Sequence, residues 1–369
     1  MIMRRGWSTL IFGAAISLSS MASACGTYEV RPGDTLTRIA RVELGTEQRA
    51  ADLYRLNISA IGTNPNLIAA GTVLRLPCGD GVLTSGWSPL LTPERAQAVL
   101  DRRGAQVLDL RAASKLAEGV LRRTISIPFQ DWRGPKENPG APPTLPVLER
   151  MIGLSGLRLD RPIVIVAASG APMQAGRAAY VYWILKSVGA TQLAILEGGM
   201  AAWRKEGRPV VSSIRRPRSY FARLSLDTTW WADTDEVQAI ASGELSGTLL
   251  DARPERVYRR VATEGQQSLP STLPGAQNSP APGLLSAMRQ ADDPVLGIYG
   301  VLERLKAAPA LWEAETVVSF CNTGELGALN WFFASEVAGI RNVKLYPDST
   351  FGWKDAGLPL AAPPPPVPD

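Results

Sequence analysis

The sequence predicts an α/β protein, in which two parallel-sheet domains follow a small βααβ unit. Two observations carry the larger part. An apolar segment at residues 178–189 is paralleled by residues 328–339 at a constant offset of 150, and Trp203 is matched by Trp353 at the same spacing. Earlier in each copy, Val107-Leu108-Asp109-Leu110-Arg111 matches Leu249-Leu250-Asp251-Ala252-Arg253, and residues 125–128 correspond to 277–280. Each copy alternates short β-branched runs with longer helical ones, the pattern of a parallel sheet covered on both faces. The small unit rests on a third observation, two short strand-like runs at residues 28–32 and 70–77 that enclose two helical stretches.

The chain opens with Arg4 and Arg5, an apolar run at residues 10–18 and then Ala22-Ser23-Ala24. A charged start, a short apolar centre and a small-residue cleavage site are the parts of a secretory signal peptide, here residues 1–24. The apolar run is too short to span a bilayer. Export to the periplasm or cell wall is therefore expected, where disulfides persist. Cys25 and Cys78 bracket the small unit and read as a pair, which leaves Cys321 as the odd thiol. A lipid-modified Cys25 is the alternative. Removing Arg4 and Arg5 with the leader lowers the formal charge from +5 to +3. The basic residues form no long runs, which argues against a nucleic-acid partner. There is no histidine anywhere. Cys-His and Ser-His catalysis and His-containing zinc sites are thereby excluded.

Within residues 25–78, the turn Gly33-Asp34-Thr35-Leu36 leads into a helix carrying Leu36, Ile39 and Ala40, with Asp34 or Thr35 as its cap. A second helical stretch covers residues 50–59, followed by Gly62-Thr63-Asn64-Pro65-Asn66 and the closing strand. Tyr28, Val30, Gly33-Asp34-Thr35-Leu36, Asn64-Pro65-Asn66, Ile68, Gly71 and Leu74-Arg75-Leu76-Pro77 together resemble the lysin motif (LysM). The resemblance implies binding of peptidoglycan or another N-acetylglucosamine-containing glycan, through Gly33, Asp34, Thr35, Leu36, Asn64, Pro65, Asn66 and Ile68. So small a unit has a modest core, and a Cys25–Cys78 bridge would add about 4 kcal/mol.

Residues 79–90 read as a linker. Thr92-Pro93-Glu94 starts a capped helix, and the first sheet domain covers residues 91–212. A connector at Arg215-Arg216-Pro217-Arg218 leads to the second, residues 219–360. The end, residues 361–369, contains four consecutive prolines, an extended tail.

Cys321 is the residue with most chemistry to offer. It follows a core strand predicted over residues 315–320 and precedes an apolar helix over residues 328–338, ended by Gly339. The loop Cys321-Asn322-Thr323-Gly324-Glu325-Leu326-Gly327 can turn its N–H groups towards the sulfur, and the helix N-terminus adds partial positive charge. Both favour a thiolate, with a pKa of about 3.5–7.5 against about 8.5 for an ordinary cysteine. An inert buried cysteine is the bland alternative.

The paired Leu-Asp-x-Arg strands, Leu273-Pro274-Gly275-Ala276-Gln277-Asn278, Glu197-Gly198-Gly199-Met200-Ala201-Ala202-Trp203 and the Cys321 loop together resemble the two-domain rhodanese family of sulfurtransferases, over about residues 90–360. The resemblance implies a scaffold copy followed by a catalytic one. Ala167-Ala168-Ser169-Gly170-Ala171-Pro172 in the first copy has no sulfur. It further implies that Cys321 takes sulfur from thiosulfate or a persulfide donor and passes it to a thiol or other acceptor. The loop residues Asn322, Thr323, Gly324, Glu325, Leu326 and Gly327 bind the substrate, and no cofactor or metal takes part. Arg253 and Arg256 are candidate donor-binding residues, although an ion pair with Asp251 competes for Arg253. Glu325 beside the thiolate opposes an anionic donor unless it points outward. Related phosphatases carry an arginine at the position of Gly327, so a phosphatase is not expected. The rival reading is a catalytically inactive glycan-binding scaffold, and the retained thiol at Cys321 separates the two.

Overall fold

The computed structural model describes residues 24–45, 47–62, 64–77, 87–101, 105–212, 214, 217–259, 271–290, 300–301, 304–305, 316–340 and 342–363. Nearly all of the leader, Cys78 and the Cys25 side chain, most of the linker, Arg215 and Arg216 of the connector and most of the tail lie outside the described residues. So does the Cys25–Cys78 pairing.

The first unit runs β1 (Ala24–Glu29), α1 (Leu36–Leu44), α2 (Ala50–Leu56), α3 (Ile58–Ile61) and β2 (Val73–Pro77). The strands pair antiparallel, Tyr28 opposite Leu74. Thr35 caps α1 by accepting the Arg38 N–H at 3.2 Å, and Leu36, Ile39 and Ala40 are buried beneath it. Both strands lie slightly off their expected places. The ladder reaches back to Ala24, and Gly71, at φ 86°, makes a turn of what was expected to be the start of β2. The second helical stretch is two helices, with Asn57 at the junction, its side-chain amide donating to the Leu53 carbonyl of α2 at 2.8 Å and also bridging to β2. The same amide accepts the Arg75 N–H at 2.7 Å and donates to the Arg75 carbonyl at 2.8 Å.

The second unit contains β3 (Leu90–Leu91), α4 (Pro93–Asp101), β4 (Gln106–Asp109), β5 (Thr124–Ser126), α5 (Leu145–Ser155), β6 (Ile163–Val166), α6 (Pro172–Ser187), β7 (Leu193–Leu196) and α7 (Gly199–Lys205). Its sheet has the order β3-β7-β6-β4-β5, every pair parallel. The third contains α8 (Thr234–Ser242), β8 (Thr248–Asp251), α9 (Glu255–Arg259), β9 (Gln277–Asn278), α10 (Ala281–Gln290), β10 (Val317–Phe320), α11 (Glu325–Trp331), β11 (Val343–Leu345) and α12 (Ser349–Asp355). Its order, β11-β10-β8-β9, repeats the first sheet without the edge strand. A single parallel bridge from Trp231 to Leu345 stands where β3 pairs with β7.

Strands β4, β6, β7, β8 and β10 are buried along their whole length, as parallel strands covered on both faces must be. Finer details repeat too. Arg111 clasps Asp109 and Arg253 clasps Asp251. The indole N–H groups of Trp203 and Trp353 each donate to a proline carbonyl six residues on, at 3.0 and 2.9 Å.

The two sheet units pack through α6 and α11. Helix α6 is apolar nearly all round, the signature of a helix enclosed on every side. Tyr182 meets Phe332 edge-on at 5.2 Å, and Trp183 lies 4.3 Å from Trp231. Gly176 lets the backbones close in, since a Cβ there would stand 2.6 Å from the Glu325 carbonyl oxygen. The Cys321 helix differs from expectation. It begins at Glu325, three residues early, because Gly324 at φ 93° turns the chain into it, and from Phe332 to Val337 it widens into a π-helix.

Candidate active site

Cys321 stands at the C-terminal end of β10, 3% exposed, at the contact between the two sheet units. Its amide donates to the Ser349 hydroxyl at 3.1 Å, and its carbonyl accepts the Thr350 N–H at 3.1 Å. The start of α12 therefore holds both sides of the residue. The sulfur in turn accepts the Gly324 N–H at 3.2 Å. A tight turn is needed to aim that amide, and glycine supplies it without the steric cost of a side chain at positive φ.

The thiol nevertheless differs from expectation. Its pKa lies above the ordinary value, because full enclosure withdraws the water that would stabilise an anion. The amides of Gly327, Thr323 and Gly324 pull it down and the Glu325 carboxylate pushes it up, and burial outweighs the amides. The expected dipoles are thus in place, and burial opposes the thiolate they favour.

Glu325 does not point outward. Only 10% of its side chain is exposed, and one oxygen pairs with Arg133 of the second unit at 3.0 Å while the other accepts the Thr323 hydroxyl at 2.8 Å. Leu326 is buried, and Gly327 packs its Cα against the end of β10, where a Cβ would stand 3.0 Å from the Phe320 Cα. Asn322 is exposed at the mouth of the loop. Its Oδ1 accepts from Arg253 Nη1 at 3.1 Å and from Thr350 Oγ1 at 3.3 Å.

Arg253 has a structural partner, as the competing expectation held. Its guanidinium clasps Asp251 and donates to the Ser271 carbonyl at 2.7 Å, leaving Nη1 for Asn322. Arg253, Arg256, Lys354, Asn322, Ser271 and Thr350 line a cavity of about 360 Å³ beside the loop. Arg256 and Lys354 are exposed there as its free-standing cations, and neither is in an ion pair among the described residues. Four residues of the site, Arg133, Ser349, Thr350 and Lys354, were not legible in the sequence. No local motif marks any of them, and only the fold brings them to Cys321.

Away from this site, the two loops of the first unit are placed as follows. Gly33, Thr35 and Asn66 are exposed, and Asp34, Asn64 and Ile68 are half-buried. Leu36 and Pro65 are buried, so their side chains serve the core rather than a surface groove, which corrects their expected role as sugar contacts. Asp34 accepts the Tyr28 hydroxyl at 2.7 Å and the Arg31 N–H at 2.9 Å, and these bonds hold its carboxyl below the usual range. The Asn66 N–H caps the Asn64 side chain at 3.0 Å. Among the described residues no helix is long and apolar enough to cross a membrane, and no group of acidic residues, histidines and cysteines could hold a metal ion.

Comparison with known proteins bears on this architecture. Residues 92–206 match the rhodanese-like domain family; that match covers the unit without the cysteine. A putative thiosulfate sulfurtransferase of Mycobacterium bovis is 29% identical over 193 residues, 50% of this chain and 66% of that protein. The chain thus spans just under two thirds of that relative's length. The thiosulfate sulfurtransferase of Azotobacter vinelandii is 27% identical over 272 residues, 72% of this chain and 93% of that one. Among solved structures, the 3-mercaptopyruvate sulfotransferase of Escherichia coli matches with a TM-score of 0.58 at 16% identity, over 71% of this chain and 98% of its own. An anaerobic ergothioneine biosynthesis enzyme from Chlorobium limicola matches with a TM-score of 0.60 at 14% identity, over 79% and 73%. At such identities the likeness is one of fold. Residues 92–206 are therefore similar to the rhodanese-like domain family, and the chain's named relatives include sulfurtransferases.

Proposed function

We propose that this chain is a sulfurtransferase, moving sulfane sulfur from thiosulfate or a persulfide donor to a thiol or other acceptor through a Cys321 persulfide. One observation carries the reading. A lone sulfur ends a central parallel strand, with the Gly324 N–H aimed at it from 3.2 Å and the amides of Thr323 and Gly327 acting in the same direction. Such amides stabilise a negative sulfur as an oxyanion hole stabilises oxygen. Cys321 loses its thiol proton to solvent, and the sulfur attacks the outer sulfur of thiosulfate. The donor S–S bond breaks, sulfite leaves with the bonding pair, and the charge settles on the outer sulfur of the new persulfide. An acceptor thiolate then attacks that outer sulfur and frees the Cys321 thiolate. Arg256 and Lys354 at the neighbouring cavity suit an anionic donor. The 167–172 loop of the second unit has no sulfur, which fits the role of scaffold.

The test is mass spectrometry of the protein incubated with thiosulfate. The peptide containing Cys321 should gain one sulfur atom, lose it to cyanide or a thiol, and never gain it in Cys321→Ser. Failure with every donor would leave the rival reading, an inactive glycan-binding scaffold.

The same proposal places the protein outside the cytoplasm, held at the cell wall by residues 25–78. The leader-like start supports export. The strand–helix–strand order of the first unit, with Gly33, Thr35 and Asn66 exposed on its loops, supports a lysin-motif glycan site. Insoluble peptidoglycan should deplete the full chain and spare a chain beginning at Leu91; equal depletion of both would remove the anchor.

A further inference from the structure

We propose that Arg133, supplied by the second unit, which has no catalytic cysteine, is the positioning residue of the Cys321 loop. It holds the loop amides on the sulfur and offsets part of the charge of Glu325, so that the site accepts anionic reagents better than the carboxylate alone would allow. The proposal deepens the sulfurtransferase reading and rests on it for its biological meaning.

The geometry is specific. Arg133 follows a 3₁₀ turn, Phe129–Trp132, and its guanidinium lies 5.5 Å from the Phe129 ring centre and 5.3 Å from that of Tyr180. Between those rings it reaches into the neighbouring unit. Nη1 pairs with Glu325 at 3.0 Å and donates to the Thr323 carbonyl at 2.9 Å. The side chains of Arg133 and Glu325 are 13% and 10% exposed, so little water screens the pair. The Thr323 hydroxyl closes the circuit on the second Glu325 oxygen. One guanidinium thus grips both residues that flank Gly324, the donor to the sulfur. Tyr180, which stacks on Arg133, also walls Gly324, where a Cβ would meet its ring at 3.0 Å.

The electrostatic consequence follows. Glu325 alone would repel both a Cys321 thiolate and an incoming anion. Paired with Arg133, part of that charge is offset, although Glu325 still pushes the Cys321 thiol up. The other charged groups around the loop are Asp348, just before α12, Arg177 of α6, 5.2 Å from the Phe129 ring, Arg253 on Asn322, and Arg256 and Lys354 at the cavity. None of these touches Glu325 among the described residues. The hole for an anion is therefore completed across the domain boundary, and a loop that looks acidic in the sequence is less acidic in the fold.

The experiment reads Cys321 by alkylation, independently of sulfur transfer, in the full chain. Neutral iodoacetamide and anionic iodoacetate are compared across pH, with sulfur loading from thiosulfate measured in parallel. Arg133→Gln should raise the pH midpoint of iodoacetamide alkylation by about one unit and lower the iodoacetate-to-iodoacetamide rate ratio about tenfold. Removing the stranded carboxylate as well, in Arg133→Gln with Glu325→Gln, should return the ratio to within about threefold of the parent. Should Arg133→Gln fail to fold, Glu325→Gln alone should raise the ratio, since it leaves Arg133 unopposed. An unchanged ratio in Arg133→Gln, no rescue in the double variant, or an unchanged ratio in Glu325→Gln would each overturn the proposal. If alkylation behaves as expected and thiosulfate loads no sulfur, the positioning role stands and the sulfurtransferase reading falls.

Discussion

The Ser349 hydroxyl accepts the Cys321 amide at 3.1 Å while donating to the Tyr346 carbonyl at 3.0 Å, and Ser349 holds φ at 55° to do so. A buried serine in the left-handed region is a strained residue, tolerated where the surroundings fix it. It ties the first residue of the reactive loop to α12, so the sulfur cannot shift without moving a helix.

Ser349→Ala should therefore cost about 1–3 kcal/mol, the penalty for stranding a buried N–H. Urea denaturation measures it. The same variant should load sulfur on Cys321 more slowly, as the loop loses its anchor; unchanged stability would show that the amide finds another partner.

The raised thiol pKa of Cys321 sets a direction for pH. Burial favours the neutral thiol, so iodoacetamide should react slowly near neutrality and faster as pH passes the ordinary thiol value. A plateau below pH 8 would contradict it. The linkage has the matching sign. A folded pKa above the unfolded one contributes stability that is complete below the unfolded value and is lost as pH rises through the folded one.

Gly324→Ala should weaken the site directly. At φ 93° an alanine is strained, and its Cβ would stand 3.0 Å from both the Pro347 carbonyl oxygen and the Tyr180 ring. We expect a loss of about 1–2 kcal/mol from the backbone conformation alone. Persulfide formation should fall at least about tenfold as the amide swings off the sulfur, a magnitude drawn from oxyanion-hole deletions. Calorimetry and sulfur loading measure the two effects separately.

Arg253 and Arg256 should behave oppositely, although both line the cavity. Arg253→Ala strands the fully buried Asp251 and should cost about 3–5 kcal/mol. Arg256→Ala removes an exposed cation and should leave stability nearly unchanged while raising KM for thiosulfate several-fold. Denaturation and steady-state kinetics on the two variants decide which arginine serves the fold and which the substrate.

These expectations show what a sequence displays and what it hides. The Asp-x-Arg clasps are legible because Asp251 and Arg253 are two residues apart and form their pair locally. The place of Cys321 is legible because a strand, two glycines and an apolar run follow one another directly. Its acidity is not, because enclosure is a property of the packed molecule, contributed by helices 150 residues apart in sequence. The opposition of Glu325 to the sulfur is legible in the loop, whereas its partner is not, since the Arg133 guanidinium comes from a different unit. Leu36 and Pro65 mislead differently, as a loop motif shows which residues recur but not which of them face inward.

The short bridge at Trp231 has a practical reach. The Trp230 carbonyl accepts the Leu345 N–H at 2.9 Å, and the Ala232 N–H donates to the Leu345 carbonyl at 2.9 Å, so this strip of chain seals one side of β11. A fragment carrying Cys321 expressed from Asp233 onward would start life with β11 as a bare sheet edge, its N–H and C=O groups open to any other strand. Such a fragment should form soluble aggregates, whereas one beginning before Asp227 keeps its own edge covered, although both lack Arg133. Where the gene is cut decides whether the cysteine can be studied alone.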